Sequence, residues 1–370
     1  MFLQKLFSIF KSFDWILLGA VFLLICFGLA AIYSVTISFE EASFLNFNKQ
    51  IIFAVIGLIV LFIISFFDYR FWQDYSYLVY LAVAIILVAV LFFGTTVRGT
   101  TGWFSIFGIN FQPVELAKIA LIIFLAYFLS NKGALIKEPK NFIITLSGTG
   151  LFFLLVMLQP DFGSGVILFL VWLLIVVFSG ASKKHLIITG LGLMALAVVA
   201  WFFLFADYQK DRILTFVNPT SDPYGSGYHV RQAVTAVGAG GFLGRGLGFG
   251  SQSQLKFLPA SQTDFIFAVI AEELGFLGVS LVFFLWGLIF WRLIRAVKIM
   301  KDNFSALFIL GASAIFFSQI IINIGMNIGL VPVTGISLPF LSYGGSFLLI
   351  SLVLIGIIES MIIRNQRLGA

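Results

Sequence analysis

Charge is what this chain has least of. Of its 370 residues only 10% are Asp, Glu, Lys or Arg, against about a quarter in soluble domains, which excludes an ordinary water-soluble fold. Cysteine is nearly absent: Cys26 alone can form no internal disulfide and no thiolate metal cluster, and it leaves the redox compartment open. The two histidines, His185 and His229, stand far apart, which argues against zinc chemistry. No P-loop, no G-x-G-x-x-G after a strand and no G-x-S-x-G elbow occurs, so ATP hydrolysis, dinucleotide chemistry and serine hydrolysis fit poorly. No internal repeat stands out either, so the inverted-repeat pattern of many transporters is missing.

What fills the chain instead is apolar: 61% hydrophobic residues and a mean hydropathy of +1.11. Ten runs of roughly 20 residues, each enough to cross about 30 Å of hydrocarbon, recur at about 15–35, 50–67, 76–94, 113–130, 141–158, 163–180, 185–206, 264–295, 304–328 and 342–363. The chain therefore reads as an all-α polytopic membrane protein, ten transmembrane helices in a single domain over 1–370. The first run is too long for a signal peptide and lacks a small-residue cleavage site, so it is expected to stay as a span.

Lys and Arg set the orientation. With the N-terminus inside, cytoplasmic segments hold Lys5, Lys11, Arg70, Lys132, Lys137, Lys140, Lys183, Lys184, Arg292, Arg295, Lys298, Lys301, Arg364 and Arg367, whereas the short outer loops offer Lys49 and Arg98. Both termini are then cytoplasmic. The net charge of +6 is mostly this bias and points to no nucleic-acid partner.

Three segments break the apolar pattern on the outer side. The longest, 207–263, is rich in Gly, Pro, Asn, Ser and Gln yet too apolar for disorder, and loops of that length are usually functional. Within it, 227–239 fits an amphipathic helix lying at the interface, with His229, Arg231 and Gln232 on the wetter side. The segment 97–113 mixes Gly and Thr with Trp103 and phenylalanines at the level of interfacial anchors. The third, 329–346, carries two prolines and four glycines, a break tolerated at membrane depth only beside protein or a wet cavity. Together the three can roof one cavity.

An ionised side chain in the bilayer centre costs at least ~2.5 kcal/mol, so each needs a partner, a cavity or a function. Glu115 and Lys118, at i and i+3, can pair along one helix face, either to let the helix insert or to poise the lysine toward an anionic ligand. Asp161 follows Pro160 and fits a helix N-cap. Asp264 closes the long loop; it is either a cap itself or a carboxylate facing both water and low-dielectric walls, a placement suited to a general base. Glu272 and Glu273 lie about two turns further on and are expected deeper in the span, in structural roles.

These residues sit in motifs that resemble the SEDS family (shape, elongation, division, sporulation): "FQPVELAK" at 111–118, "LQPDFGSG" at 158–165, "NPTSDPYGSGYHVRQ" at 218–232, "GFLGRGLGFGSQSQLKFLP" at 241–259, "TDFIFAVIAEELGFLG" at 263–278 and "GISLPFLSYGGS" at 335–346. The likeness covers nearly the full length and looks more RodA-like than FtsW-like. It implies a ten-helix fold and peptidoglycan glycosyltransferase activity, polymerising lipid II into glycan strands at the outer face of the bacterial cytoplasmic membrane. It also implies a class B penicillin-binding protein as partner, which supplies the transpeptidase. By the same resemblance Asp264 matches the essential aspartate, Glu115 and Lys118 the charged pair of the fourth helix, Asp161 the aspartate of the Q-P-D motif and Trp103 the outer-loop tryptophan. Ala260 and Gln262 depart from the usual Glu and His before T-D-F, as do Val114 and Phe347 from smaller or polar residues.

On this reading Asp264 takes the proton of an acceptor sugar hydroxyl as that oxygen displaces a polyprenyl diphosphate with inversion. Lys118, Arg231, Arg245 and Arg98 are the cations at hand for the diphosphate. The cofactor is unknown; a divalent cation such as Mg or Mn held by Asp264 or Asp161 suits the chemistry, but no spacing identifies one. Two alternatives keep the same residues: a lipid II flippase, and a non-catalytic scaffold for a penicillin-binding protein.

Overall fold

The computed structural model describes residues 10–37, 44–97, 99–106, 109–203, 207–218 and 225–367. In chain order the helices are α1 (Trp15–Ile37), α2 (Leu45–Phe66), α3 (Arg70–Asp74), α4 (Ser76–Phe93), α5 (Pro113–Lys132), α6 (Pro139–Met157), α7 (Phe162–Phe178), α8 (Lys183–Phe203), α9 (Asp207–Val217), α10 (Ser226–Ala239), α11 (Ser251–Gln254), α12 (Ile266–Ile299), α13 (Asn303–Asn327) and α14 (Gly345–Arg367). Among the described residues nine helices are long and apolar enough to cross a membrane, and α7, with 17 residues, is a tenth apolar helix of shorter length. The protein is a multi-pass membrane protein. Its apolar residues divide accordingly: α5, α13 and α14 form the buried centre, whereas α2 and α4 expose Ile52, Leu78, Ile85 and Phe92 to the surroundings, and α8 has no buried residue at all.

One departure from an all-helical reading is a small antiparallel sheet, β1 (Thr95–Val97), β2 (Thr100–Ile106) and β3 (Ile109–Phe111), in the order β1-β2-β3. Its β-branched residues Thr95, Thr96, Val97, Thr100, Thr101, Ile106 and Ile109 favour a pleated, half-buried surface. The sheet is tied down at both ends: the Thr101 N–H donates to the Gln159 carbonyl at 3.3 Å, and Ser346 Oγ donates to the Asn110 carbonyl at 2.7 Å.

The ends of the bundle remote from the sheet carry the basic residues, and there charge staples the helices. Arg292 Nε lies 2.6 Å from Asp14 Oδ2, Asp14 Oδ1 accepts the Leu17 N–H of α1, and the Asp14 N–H donates to Glu359 on α14. Arg364 donates to the Ser65 and Phe66 carbonyls, satisfying the last turn of α2.

Helix α12 begins two residues after Asp264. Its 34 residues would span about 51 Å as one rod, far beyond the bilayer core. Gly275, at φ 63° and ψ −160°, breaks it into a short half-helix, 266–274, and a long one, 276–299, which alone covers about 36 Å. An uninterrupted helix would send the Phe276 and Leu277 N–H groups to the Glu272 and Glu273 carbonyls. Instead the segment 241–246 inserts between them. The Arg245 and Gly246 N–H groups donate to the Glu272 and Glu273 carbonyls (3.0 and 2.9 Å), and the Phe276 and Leu277 N–H groups donate to the Gly241 and Phe242 carbonyls (2.9 and 3.2 Å). These two carbonyls and two N–H groups freed by the break are thereby satisfied, a condition for breaking a helix near lipid.

The break also corrects the expected depth of the two glutamates. Gln262 reaches Thr36 and Glu273 reaches Ser34, two positions apart on α1. Both ends of the half-helix thus lie at nearly one level of α1, so 266–274 runs across its end and not down its length. Glu272 and Glu273 sit beside Asp264 in level, not two turns deeper. Both are structural: Glu272 accepts the Gln252 and Ser253 N–H groups at the start of α11, and Glu273 accepts from Ser34 Oγ and Gln254 Nε2.

Candidate active site

Asp264 is half-buried in the turn that leads into α12. Phe265 holds the cap position of that helix and makes no side-chain cap bond, and Thr263 Oγ1 donates back to the Ala260 carbonyl at 3.2 Å. The turn is held through its main chain. Asn323 Nδ2 and Asn327 Nδ2, both from α13, donate to the Asp264 carbonyl at 3.0 Å each. Ser342 Oγ donates to the Thr263 carbonyl at 2.6 Å, and the Tyr343 N–H donates to the Gln262 carbonyl at 2.8 Å. The segment 335–343 is thus closed down on 262–264. Gly335, at φ +75°, faces the carboxylate: a Cβ there would stand 3.9 Å from Asp264 Oδ2.

Asp161 borders the same segment from the other side. Its Oδ1 accepts the Ser164 N–H at 3.0 Å, and its Oδ2 accepts from Ser164 Oγ at 2.7 Å and Gln112 Nε2 at 3.1 Å, so it caps α7 as expected. Two residues on, Gly163 packs so closely on the Thr334 carbonyl that a Cβ would meet it at 2.8 Å. Residues 334–336 are therefore held between the start of α7 and the Asp264 turn.

Glu115 and Lys118 form the pair their spacing predicts, with Lys118 Nζ 2.8 and 2.9 Å from the two carboxylate oxygens and both residues buried. Phe347, one of the departures from the family pattern, lies under the ammonium at 5.7 Å from its ring centroid, a cation–π contact. The pair lines a small cavity with Gln319, Ser351, Phe316 and Ile350. Gln319 Oε1 has no partner there. Gln319, Asn323 and Asn327 follow at four-residue spacing on α13, so one helix face serves both the Glu115–Lys118 pair and the Asp264 turn, about 6 Å per step apart.

The remaining candidates lie further out. Trp103 is half-buried in β2, its carbonyl accepting from Thr95 Oγ1. Arg231 is exposed on α10, whose opposite side buries Ala233 and Ala236. Arg245 is exposed, its Nε donating to the Ala239 carbonyl at the end of α10 while its N–H fills the helix break. Arg98 and most of 218–224 lie outside the described residues. Among the described residues no group of three or more His, Cys, Asp or Glu gathers that can hold a metal ion. Sequence reasoning missed Gln319, Asn323, Asn327 and Ser342. Three amides on one face of an otherwise apolar span were the signal, since buried polar residues in lipid need partners.

Comparison with known proteins agrees with this picture. The cell cycle protein family FtsW/RodA/SpoVE matches residues 14–367. Stage V sporulation protein E of Bacillus subtilis (strain 168) is 38% identical over 354 residues, 93% of this chain and 95% of that protein. Peptidoglycan glycosyltransferase MrdB of Escherichia coli (strain K12) is 36% identical over 313 residues, 85% of this chain and 84% of that protein. Among solved structures, a chain from a peptidoglycan synthase complex that coordinates polymerization and crosslinking superposes with a TM-score of 0.80 at 28% identity, covering 95% of this chain and 98% of that one.

Proposed function

The chain belongs to the FtsW/RodA/SpoVE family, and on that premise we propose that it polymerises lipid II into glycan strands with Asp264 as the general base. The protein is a peptidoglycan glycosyltransferase, as MrdB is named, and works with a class B penicillin-binding protein. The observation that carries the assignment of the base is the Asp264 turn itself: a half-buried carboxylate just ahead of the helix, its main chain fixed by two asparagines and its side chain facing a glycine. The distribution of charge supports an active site on the outer face of the cytoplasmic membrane. Arg292, Arg295, Lys298 and Arg364 gather at the opposite end of the bundle, the end that stays inside.

In the reaction the acceptor hydroxyl gives its proton to Asp264 as its oxygen bonds the donor's anomeric carbon. The bond from that carbon to the diphosphate breaks on the opposite face, so the centre inverts and the leaving group departs with the electron pair. A positioned base of this kind contributes typically a hundredfold or more. The diphosphate leaves as an anion, and Lys118, Arg231 and Arg245 are the cations assigned to it, with Asp161 and Trp103 as further substrate-binding residues.

The test is polymerisation of labelled lipid II by purified protein with its transpeptidase partner in detergent, where there are no leaflets to flip between. Wild type yields glycan ladders. Asp264→Asn, monodisperse and still bound to the partner, yields none. Ladders of undiminished length from the variant remove Asp264 from the chemistry; no ladders from wild type favour the flippase or scaffold alternatives.

A further inference from the structure

We propose that Asn323 and Asn327 are positioning residues for the Asp264 carboxylate, acting through its main chain, an inference that rests on Asp264 being the base. At a regular helix start the Ala268 N–H would close onto the Asp264 carbonyl four residues back. Here it does not. The Ala268 N–H donates to Asn327 Oδ1 at 3.1 Å, and Asn327 Nδ2 donates onward to the Asp264 carbonyl at 3.0 Å. One side-chain amide stands inside the bond that would wind the first turn. It holds that turn open and keeps Asp264 outside the helix, one residue ahead of the Phe265 cap position.

Asn323 adds a second donor to the same carbonyl at 3.0 Å and gives its other N–H to the Ile336 carbonyl at 2.7 Å, next to the Gly335 that faces the carboxylate. Both asparagines are fully buried. Their donors are all spent: Asn323 on Asp264 and Ile336, Asn327 on Asp264 and the Asn323 carbonyl at 2.8 Å. A flipped amide would set oxygen against carbonyl oxygen at each of these contacts, so the orientation is fixed. The pair therefore sets two distances together, from Asp264 to its own helix and from Asp264 to the segment that walls its carboxylate.

Removing Asn327 lets Ala268 bond to Asp264 directly and draws the aspartate toward the helix axis. Removing Asn323 frees the Asp264 turn from residues 335–336. Displacements of about 1 Å in a positioned group cost on the order of a hundredfold in rate. A purely structural pair would act through stability instead.

The experiment measures kcat and KM for lipid II, together with the unfolding midpoint, for wild type, Asn323→Ala, Asn327→Ala and Asp264→Asn, each with the transpeptidase partner. Expected for both alanine variants is a kcat per folded protein lower by about a hundredfold and a KM within about twofold of wild type, with a midpoint lowered by the lost buried bonds yet above the assay temperature. Asn323→Ala leaves the Ala268 bond intact and carries the test if Asn327→Ala is not recovered folded. Wild-type kcat per folded protein in the variants, a loss confined to KM, or a loss that disappears when activity is scaled to the folded fraction overturns the inference. Activity retained by Asp264→Asn overturns the base assignment instead, whatever the asparagine variants do.

Discussion

Substituting Gly244 by alanine probes the helix break directly, because Gly248 offers a matched control. Both glycines have left-handed backbone, φ +81° and +80°. Alanine in that conformation costs about 1–2 kcal/mol at either site. The surroundings differ. A Cβ on Gly248 meets nothing within 4 Å, whereas one on Gly244 runs into the Glu273 carbonyl and the Leu274 main chain. Relieving that clash moves segment 241–246 off the break and sacrifices the Arg245 and Gly246 hydrogen bonds, about 1 kcal/mol each, with more lost where a carbonyl stays buried without a donor. The total for Gly244→Ala comes to about 3–5 kcal/mol against about 1–2 for Gly248→Ala. Thermal unfolding in detergent, followed by tryptophan fluorescence and by size-exclusion recovery, reads the difference. Gly244→Ala is expected to lower the midpoint well below that of Gly248→Ala and to abolish polymerisation. Equal midpoints for the two variants refute the inserted-segment account of the break.

Other outcomes follow from the same contacts. Glu115→Gln leaves the buried Lys118 ammonium without its counter-charge and should cost about 3–5 kcal/mol, while the double variant Glu115→Gln with Lys118→Met recovers most of it; unfolding midpoints of the three proteins decide this. Asp161→Ala removes the α7 cap and should cost about 0.5–2 kcal/mol, whereas Asp161→Asn keeps an acceptor for the Ser164 N–H and should lose less, again by midpoint. Asp14→Ala releases Arg292 and the α1 cap at the end of the bundle far from Asp264, so it should lower the midpoint while leaving kcat for lipid II per folded protein unchanged.

The parts of this fold that could be read from the chain were the ones set by local pattern. The apolar runs match the helices to within a few residues, 113–130 against Pro113–Lys132 and 304–328 against Asn303–Asn327, because hydrocarbon thickness fixes their length. Asp161 as a cap and Glu115–Lys118 as a pair were legible for the same reason: their partners are three residues away. The helix expected at 227–239 likewise appears as Ser226–Ala239. What stayed hidden depends on partners far off in sequence. The glycines of 241–246 read only as part of a long apolar loop until the break at Gly275 supplies the gap they fill. Asn323 and Asn327 look like polar intruders in a span until the Asp264 carbonyl, about sixty positions earlier, is brought against them. The small sheet was masked by its aromatic residues, which read equally well as interfacial anchors.

The segment that fills the broken helix carries a consequence for how this chain can vary. Surface connections usually tolerate insertions and deletions, since a longer excursion adds little closure entropy. Between Gly241 and Gly246 the residue count is locked, because the two carbonyls at its start and the two amides at its end must meet a fixed gap at once. One residue gained or lost there uncouples one pair from its target. Variation in length should therefore be confined to the stretches on either side.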